Sequence, residues 1–368
     1  MNGLPSVVIV GGGGMGSSVA RDLAERGHRV TVLEQHTAGH QNGSSHGSSR
    51  IVRLVYDDPS YVRLAHQARP LWDDLQLLSD EPVFRRCGSV DHGPANLLEP
   101  FAAALDACGV DHEWLTPAAA SGRWPGLRFD EAVLHQPDGG VAHADNTLTV
   151  LRRLAREAGA VWQEHTRVDS IIEDCDGVTV RAGSQSFSAD QVVITTGVWA
   201  HQLVDLPPGA ATQVQPAHFA PLDPAMTWPT FIHRRAVPAG HAIPESYGLP
   251  SPDGIKVGFH GGGKVVDPDH RDFAVVESEV ELLRAYVETW VPGVDPSSIR
   301  PTTCLYGGLA EDDFIIDRVG RVTVAAGFSG HGFKFVPLVG RMVAELVTGV
   351  AEPEPRFTLT AHRARSKV

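Results

Sequence analysis

A glycine-rich segment near the amino terminus, VVIVGGGGMG over residues 7–16, constrains the fold of this chain more than any other feature. The apolar β-branched residues before the glycines predict a buried parallel strand. Apolar residues at helical spacing after the glycines predict a helix that ends near Arg26. A second apolar run ends at Leu33, and Glu34 follows it. This order of strand, glycine turn, helix, strand and acid is that of a dinucleotide-binding unit.

Each of these glycines has a physical reason to be there. Gly11 permits the tight turn off the strand, Gly13 lets a diphosphate approach the backbone, and Gly16 lets the helix pack closely on the strand. The helix N-terminus offers free N–H groups to the phosphates. Glu34 lies 23 residues after Gly11, where a ribose-binding acid is expected, and it disfavours a 2′-phosphorylated cofactor. The motif alone leaves FAD and NAD open.

Composition narrows the class of protein. A chain of 368 residues predicts two domains, or one domain with a large insertion. The net charge of −13 argues against nucleic acid and anionic membranes as partners. No apolar run is as long as a membrane span, and the immediate first strand predicts that there is no signal peptide. The four cysteines are scattered without metal-ligand spacing, so we expect no metal site and a cytoplasmic location.

The rest of the chain alternates helical and strand patterns. The predicted helices are residues 61–78, 98–108, 117–123, 146–158, 277–291 and a last one that follows residue 335, and the predicted strands include 168–173, 178–182, 185–189, 191–195, 304–306, 314–317 and 322–326. Residues 40–53 have the composition of a loop, which we expect to lie against the cofactor. The strand from residue 191 is expected to return to the nucleotide-binding sheet. Residues 212–266 predict short, mostly antiparallel strands of a second domain.

Four blocks of the sequence resemble the monomeric sarcosine oxidase and N-methyltryptophan oxidase family of D-amino-acid-oxidase-like FAD enzymes. The blocks are VVIVGGGGMG, NGSSHGSSRIVR, the pair YGLPSPDGIKVGFH and CLYGGLAEDDFIID, and VAAGFSGHGFKF. The resemblance implies an α/β fold with a glutathione-reductase-type Rossmann domain for FAD and a second, mostly antiparallel β domain for the substrate. We expect the FAD domain to comprise residues 1–80, 140–210 and 305–368, and the substrate domain residues 81–139 and 211–304.

The resemblance also implies roles for individual residues. Cys304 falls where the family attaches FAD through a thioether, and Lys256 falls at the lysine that activates O2. Arg53 and Lys334 fall at the two cations that hold the substrate carboxylate, and an arginine fork with a lysine point charge suits that task. Arg50 falls at a second arginine near the flavin.

Further positions follow from the same blocks. His46 matches one of two adjacent histidines of the family, whereas Ser45 departs from the other. His260, Tyr247 and Tyr306 match residues of the substrate cavity, so with Lys256 and Arg50 they form the expected catalytic set; for each of these three a purely structural role in the core stays open. The residues expected to contact FAD are Gly11, Gly13, Met15, Gly16, Glu34, His46, Arg50, Val168, Gly197, Cys304, Gly327, Gly330, Gly332, Phe333 and Lys334.

The expected activity is oxidation of a secondary amine or an N-methyl amino acid by a monomeric FAD enzyme. The products would be an imine, which hydrolyses to an aldehyde and an amine, and H2O2 from O2. Oxidation of a cyclic imino acid such as pipecolate or proline, and a flavin dehydrogenase with another electron acceptor, are alternatives. An NAD-dependent dehydrogenase would leave Cys304 and the turn at 328–334 unexplained, and a non-catalytic flavoprotein would not need Lys256. The sequence does not define the substrate side chain.

Overall fold

The computed structural model describes residues 4–235, 245–309 and 311–365. In chain order the elements are β1 (Ser6–Val10), α1 (Gly14–Glu25), β2 (Arg29–Leu33), β3 (Arg50–Val52), α2 (Pro59–Leu77), β4 (Phe84–Arg86), β5 (Ser89–Gly93), α3 (Ala95–Ala107), β6 (Glu113–Leu115), α4 (Pro117–Arg123), β7 (Ala132–Gln136), β8 (Gly140–Ala142), α5 (Ala144–Glu157), β9 (Val161–Gln163), β10 (Ser170–Glu173), β11 (Val178–Ala182), β12 (Gln185–Ala189), β13 (Gln191–Ile194), β14 (Gly209–Val214), β15 (Ala217–Pro221), β16 (Thr230–His233), β17 (Ser246–Ser251), β18 (Gly254–Phe259), β19 (Lys264–Val265), α6 (Glu277–Trp290), β20 (Val294–Pro301), β21 (Cys304–Leu309), β22 (Ile315–Val319), β23 (Val322–Ala326), α7 (Val336–Thr348) and α8 (Leu359–Arg365). Three short 3₁₀ turns cover residues 197–202, 333–335 and 355–357.

The first large sheet has six strands in the order β22-β23-β13-β1-β2-β9. All neighbours in it are parallel except β22 and β23. Alternate side chains of β1 point to opposite faces: Ile9 belongs to the core under α1 and α7, whereas Val8 packs with the three-stranded sheet β10-β11-β12. The predicted pairing of the strand from residue 191 with the first strand is therefore confirmed, as Val7 lies opposite Gln191.

The second large sheet has eight strands in the order β20-β15-β18-β17-β16-β5-β7-β6. It is antiparallel throughout except for the pair β16 and β5, so the predicted mostly antiparallel character is confirmed. Phe219 and Val257 of this sheet share a core with Leu283 and Val287 of α6.

Two small sheets join distant parts of the chain. β8 pairs with both β3 and β4, and β14 pairs with β19 and β21. These pairings correct one expectation, because Arg50–Val52 ends the predicted loop as a strand, and they show that Gly140–Ala142, for which the sequence predicts no strand, is one as well. The sequence around each segment is too short and too polar to indicate a partner that lies about 90 residues away.

The helices α1 and α2 begin differently. The Asp58 carboxylate accepts a hydrogen bond from the Ser60 amide at 2.8 Å and caps α2, where Pro59 occupies the first turn. The N-cap residue of α1 is Gly13, which has no side chain and therefore cannot cap the helix. The first turn of α1 is thus left to other partners. None of the helices in residues 4–235, 245–309 and 311–365 has the length and apolarity to cross a membrane.

Candidate functional site

A cavity of about 660 Å³ opens at the carboxyl ends of β1, β2 and β13. This is the edge of a parallel sheet where nucleotides bind in doubly wound folds. Its wall includes the turn 11–15, the segment 33–46, one side of α5, the turn 195–199, and the segments 304–307 and 327–333.

The glycine turn at the head of α1 has the geometry that the sequence predicts. Gly11 has a φ of +96°, which disfavours any residue with a side chain. A Cβ on Gly16 would overlap the carbonyl oxygen of Gly11, so only glycine allows this approach of helix and strand. A Cβ on Gly13 would meet nothing closer than Ser45 Oγ at 3.4 Å, and Gly13 itself lines the cavity. Gly16 therefore acts by packing, whereas Gly13 faces the ligand space.

Glu34 lies at the end of β2, beside the glycine turn. Its carboxylate accepts hydrogen bonds from the Gly12 amide at 2.8 Å and from the His36 amide at 2.9 Å. These contacts fix both oxygens at the cavity wall, and each oxygen keeps a lone pair for a further donor. This is the position that a ribose hydroxyl requires.

The cavity wall also holds buried polar atoms that lack a protein partner in the described chain. They are His36 Nε2, His46 Nε2, Arg152 Nε and Thr196 Oγ1. Buried polar groups are almost always hydrogen-bonded, so these atoms indicate a ligand with polar groups along its length. The Gly14 amide of α1 donates to Ser45 Oγ at 3.1 Å, but Gly13 gives the helix no side-chain cap. This helix N-terminus, a fixed acid and unpaired polar atoms around one cavity fit the diphosphate, ribose and ring system of FAD.

Cys304 lies at one end of this cavity, at the start of β21. Arg50 Nη2 lies 3.7 Å from its Sγ, and His46 hydrogen-bonds the thiol. Burial alone would raise the pKa of Cys304, but Arg50, His46 and Lys256 outweigh it and bring the pKa down to about 6. The thiolate is therefore the main form at neutral pH, and it is the reactive form of cysteine.

Lys256 lies in β18, with its side chain buried next to Arg50 and Cys304. Burial lowers the pKa of Lys256 to about 8, with a further contribution from Arg50 and an opposing one from Cys304. The ammonium form prevails at pH 7, which gives the site a fixed positive charge close to the thiolate.

Tyr306 and Tyr247 form a hydrogen-bonded pair between the cavity and the eight-stranded sheet. Tyr306 lines the cavity, and its ring packs so closely on Gly330 that a Cβ there would overlap the ring. Tyr247 donates to Tyr306, and burial raises the pKa of Tyr247 well above 10 and that of Tyr306 to about 12. Both tyrosines are neutral at physiological pH.

Arg53 and Lys334 both contact the ring of the same tyrosine, Tyr56. The Arg53 guanidinium is 5.2 Å and Lys334 Nζ is 5.4 Å from the centre of the Tyr56 ring, and Lys334 Nζ also donates to the Tyr56 hydroxyl at 2.9 Å. Burial opposes the charge of Arg53, yet the nearby Asp91 raises the pKa of Arg53. Burial and the charge of Arg53 lower the pKa of Lys334 well below its usual value. The pair is a buried cationic site.

His260 follows β18, and its ring centre lies 5.9 Å from that of Tyr306. Its amide donates to the carbonyl of Glu245 at 2.7 Å. His260 is exposed, yet desolvation by the protein around its ring lowers the pKa of His260; Glu245 opposes this, and Arg53 and Lys334 add to it. A neutral imidazole thus links the tyrosine pair with the cationic site.

The predicted residues separate into two groups by position. The cavity lining includes Gly11, Gly13, Met15, Glu34, His46, Arg50, Val168, Gly197, Cys304, Tyr306, Gly327, Gly330, Gly332 and Phe333. Lys256, Tyr247, His260, Arg53 and Lys334 are outside this lining but connect to it through the contacts above. Gly16, also expected at the cofactor, is outside the lining as well and packs on Gly11 instead. Lys334, expected at both cofactor and substrate, points away from the cavity toward Tyr56 and His331.

Several residues of the site escaped sequence reasoning. Asp91 is fully buried and bonds both Arg53, at 3.4 Å, and Arg234, at 2.8 Å. Tyr56 and His331 contact Lys334 directly. The only signals available were that Tyr56 lies three residues after Arg53 and that His331 lies inside the block shared with the oxidase family.

A doubly wound sheet, a dinucleotide cavity, a thiolate at its end and buried cations beyond it define a flavin-dependent oxidoreductase. The chain belongs to the FAD dependent oxidoreductase (DAO) family, whose model matches residues 6–346. It is 31% identical to monomeric sarcosine oxidase from Bacillus sp. (strain B-0618), over 94% of this chain and 93% of that protein. It is also 31% identical to N-methyl-L-tryptophan oxidase from Salmonella agona (strain SL483), over 97% of both chains.

Solved structures agree with these relatives. The open form of NikD, an unusual amino acid oxidase essential for nikkomycin biosynthesis, superposes with a TM-score of 0.84 at 27% identity, over 96% of this chain and 97% of NikD. L-Proline dehydrogenase from P. horikoshii shares the fold, with a TM-score of 0.84 at 23% identity over 98% of both chains. The family resemblance, the two-domain α/β fold and FAD as cofactor are thereby confirmed, and the NAD interpretation is excluded.

Proposed function

We propose that this protein is an FAD-dependent oxidase of a secondary amine that carries a carboxylate, such as an N-methyl amino acid. The buried cationic pair of Arg53 and Lys334 carries this proposal. Arg53 shares Asp91 with Arg234, and no acid in residues 4–235, 245–309 and 311–365 forms an ion pair with Lys334. A substrate carboxylate would supply the missing negative charge, and buried charges need such a partner.

When bound, FAD supplies the acceptor for the hydride equivalent that leaves the substrate C–H bond, and it passes the electrons to O2. Arg53 and Lys334 bind the substrate carboxylate and thereby hold the substrate in one orientation relative to the cofactor. The same positive charges disfavour an ammonium next to them, so the substrate amine is held as the free base. Tyr247, Tyr306 and His260 offer hydrogen bonds without adding charge, since all three are neutral at pH 7.

The relatives support this assignment, because two of them are named for sarcosine and N-methyl-L-tryptophan. The product imine would hydrolyse to an aldehyde and an amine, and O2 would leave as H2O2.

The test is peroxide release by the purified holoenzyme with sarcosine, other N-methyl amino acids, pipecolate and proline. Dimethylamine, which has the same methylated nitrogen as sarcosine but no carboxylate, is the matched control. Equal turnover of sarcosine and dimethylamine, or no peroxide with any of them, would contradict the proposal.

We also propose that FAD is attached covalently to Cys304. The thiolate is favoured at neutral pH, the sulfur lies at the cavity wall, and Arg50 holds it. Acid precipitation should leave the yellow colour in the pellet for the natural protein and in the supernatant for Cys304→Ala. Cys87→Ala, which removes a half-buried thiol outside the cavity, is the control and should keep the colour in the pellet. Colour in the supernatant of the natural protein would refute the thioether.

A monomer in the cytoplasm is the assembly state and location that we propose. All four cysteines are unpaired, as is usual where thiols stay reduced. The net charge of −13 keeps copies of the chain apart. Light scattering coupled to gel filtration would give a mass of one chain, 39.5 kDa plus the cofactor.

A further inference from the structure

A buried chain of hydrogen bonds leads from Lys334 to the protein surface. Lys334 Nζ donates to the Tyr56 hydroxyl at 2.9 Å and to the carbonyl of His331 at 2.8 Å. The Tyr56 hydroxyl lies 3.2 Å from His331 Nδ1, and His331 Nε2 lies 3.0 Å from the carbonyl of Asp312. Lys334 and Tyr56 are buried, His331 is half-buried, and Asp312 is exposed.

The chemistry of the two end groups sets the direction of every bond. An ammonium only donates, so the Tyr56 oxygen accepts from Lys334 and its own hydrogen goes to His331 Nδ1. A carbonyl only accepts, so His331 carries its hydrogen on Nε2 and donates to Asp312. This arrangement requires a neutral imidazole, and burial together with the charge of Lys334 lowers the pKa of His331 to about 3.

We propose that Tyr56 and His331 are positioning residues that keep the Lys334 ammonium charged and aimed at the substrate carboxylate. They would thereby set the upper pH limit of carboxylate binding. The inference rests on the proposed function, namely a substrate with a carboxylate.

Lys334 needs such acceptors because its surroundings oppose its charge. Arg53 faces it across Tyr56, and His260 approaches from the end of β18. Of the acids around the site, Asp91 and Glu245 pair with Arg53 and Arg234, and Asp312 lies beyond His331. Asp57 acts on Arg53 and is exposed. Within the described chain, the side-chain hydrogen bond that offsets burial of the ammonium is thus the one to the Tyr56 oxygen, and the Tyr56 and Phe335 rings add cation–π contacts at 5.4 and 5.5 Å.

The test is ligand binding by the holoenzyme, followed through the flavin absorbance between pH 5.5 and 9.5. The probe is propionate, and propionamide is its uncharged counterpart. Propionate should bind the natural protein at low pH and lose affinity as pH rises and Lys334 is deprotonated. In Tyr56→Phe the ammonium loses an acceptor, so this loss should move down by about one pH unit, which is about tenfold weaker binding on the alkaline side. Affinity near pH 6 should change by less than about threefold.

Tyr61→Phe is the matched control. The Tyr61 ring stacks on that of Tyr56 with 5.3 Å between centres, but its hydroxyl contacts Asp313, the Phe314 amide and, at 3.4 Å, the carbonyl of Asp312 rather than Lys334, Tyr56 or the His331 ring nitrogens. It should leave the pH profile of propionate binding unchanged. His331→Leu should shift the profile in the same direction as Tyr56→Phe but by less, and His331→Asn, which keeps an acceptor near Nδ1, should restore most of it. The double variant Tyr56→Phe/His331→Leu should match Tyr56→Phe alone, because His331 acts through Tyr56.

The possible results separate the inference from the proposed function. Failure of propionate to bind the natural protein would overturn the carboxylate site, and the inference with it. Binding with an unshifted profile in Tyr56→Phe would overturn the inference alone. If Tyr56→Phe does not retain FAD, His331→Leu carries the same comparison, and an unchanged profile there would refute the hydrogen-bonded chain.

Discussion

Lys256 is the residue whose charge we expect to matter for O2 rather than for the amine. Its pKa near 8 leaves it mostly protonated at pH 7, within a buried site where a charge acts strongly on electron transfer to oxygen. We predict that Lys256→Met slows reoxidation of the reduced enzyme by O2 about 100-fold or more. Reduction by substrate should change only a few-fold. Stopped-flow measurement of the two half-reactions separates these steps.

The control for that experiment is Lys264→Met, since Lys264 is exposed and pairs with Asp272 at 3.1 Å. It should leave both half-reactions unchanged. In the natural protein, reoxidation should also slow as pH rises through about 8, because Lys256 then loses its charge. Equal slowing of both half-reactions in Lys256→Met would refute the role.

At the residue scale, the sequence predicts side chains that belong to motifs and misses those defined only by contact. Cys304 and Lys256 could be singled out because family blocks contain them. Asp91 could not, because its importance comes from Arg53 and Arg234, which the sheet brings to it from other segments. The lowered pKa of Cys304 was likewise missed, because it depends on Arg50, which the strand β3 brings to the thiol from about 250 residues away in the sequence.

The contact between α1 and β1 gives a prediction at the scale of elements. We expect Gly16→Ala to destabilise the fold by at least about 2 kcal/mol, because its Cβ overlaps Gly11 and helix and strand must separate. Gly13→Ala should leave the free energy of unfolding of the apoprotein nearly unchanged, since its Cβ enters the cavity, but it should weaken FAD incorporation. Denaturant unfolding of the apoproteins and their flavin content after reconstitution measure both effects. Similar loss of stability in the two variants would contradict this division of roles.

The pairing of β5 with β16 creates a pH dependence of stability. His92 and His233 lie opposite each other in these strands, with stacked rings 4.1 Å apart, and Trp290 of α6 covers His233. Burial and Arg235 lower the pKa of His233 to about 3, and burial and His233 lower that of His92. The unfolded chain therefore binds protons below pH 6.5 that the folded chain excludes, so stability is full above pH 6.5 and falls as pH decreases.

We predict that His233→Phe reduces the loss of stability that occurs as pH decreases. Between pH 6.5 and 4.5 the natural protein should lose about 2 kcal/mol more of its unfolding free energy than the variant does. His201→Gln, which removes an exposed imidazole, is the control and should behave as the natural protein. Urea unfolding at a series of pH values gives the comparison, and parallel curves for His233→Phe and the natural protein would rule out the histidine pair as a source.

Elements with a strong local pattern were predicted well, and those defined by partners were not. The helix predicted at residues 117–123 has the same bounds as α4, α2 and α5 differ from prediction by one or two residues at each end, and α6 differs by one residue at its C-terminal end. The three-residue strands β3, β4 and β8 were missed because a strand of that length has no period to detect and exists only through its pairing.

At the scale of the whole molecule, we propose that the six-stranded and eight-stranded sheets mark the FAD and substrate domains, with the boundaries expected from the sequence. The cavity takes its walls from both ends of the chain, so bound FAD should stabilise the protein as a unit. In Cys304→Ala the melting temperature should rise with added FAD, by the equivalent of about 2.7 kcal/mol at 100 times the Kd. In the covalently loaded natural protein it should not depend on added FAD. Thermal unfolding with and without excess FAD tests this prediction. A melting temperature of Cys304→Ala that does not change with added FAD would contradict it.

The strand order of the six-stranded sheet also has a consequence for biosynthesis. β1 leaves the ribosome first, yet its neighbour β13 begins at position 191, and β23 ends at position 326. At translation rates of about 5 to 20 residues per second, the apolar edge of β1 stays unpaired for about 10 to 40 s until β13 is made, and that of β2 for about 7 to 26 s until β9 is made. During that time the nascent chain has no complete six-stranded sheet. The cavity segments 304–307 and 327–333 are synthesised later still, so FAD meets its full binding site only after residue 333 has been added.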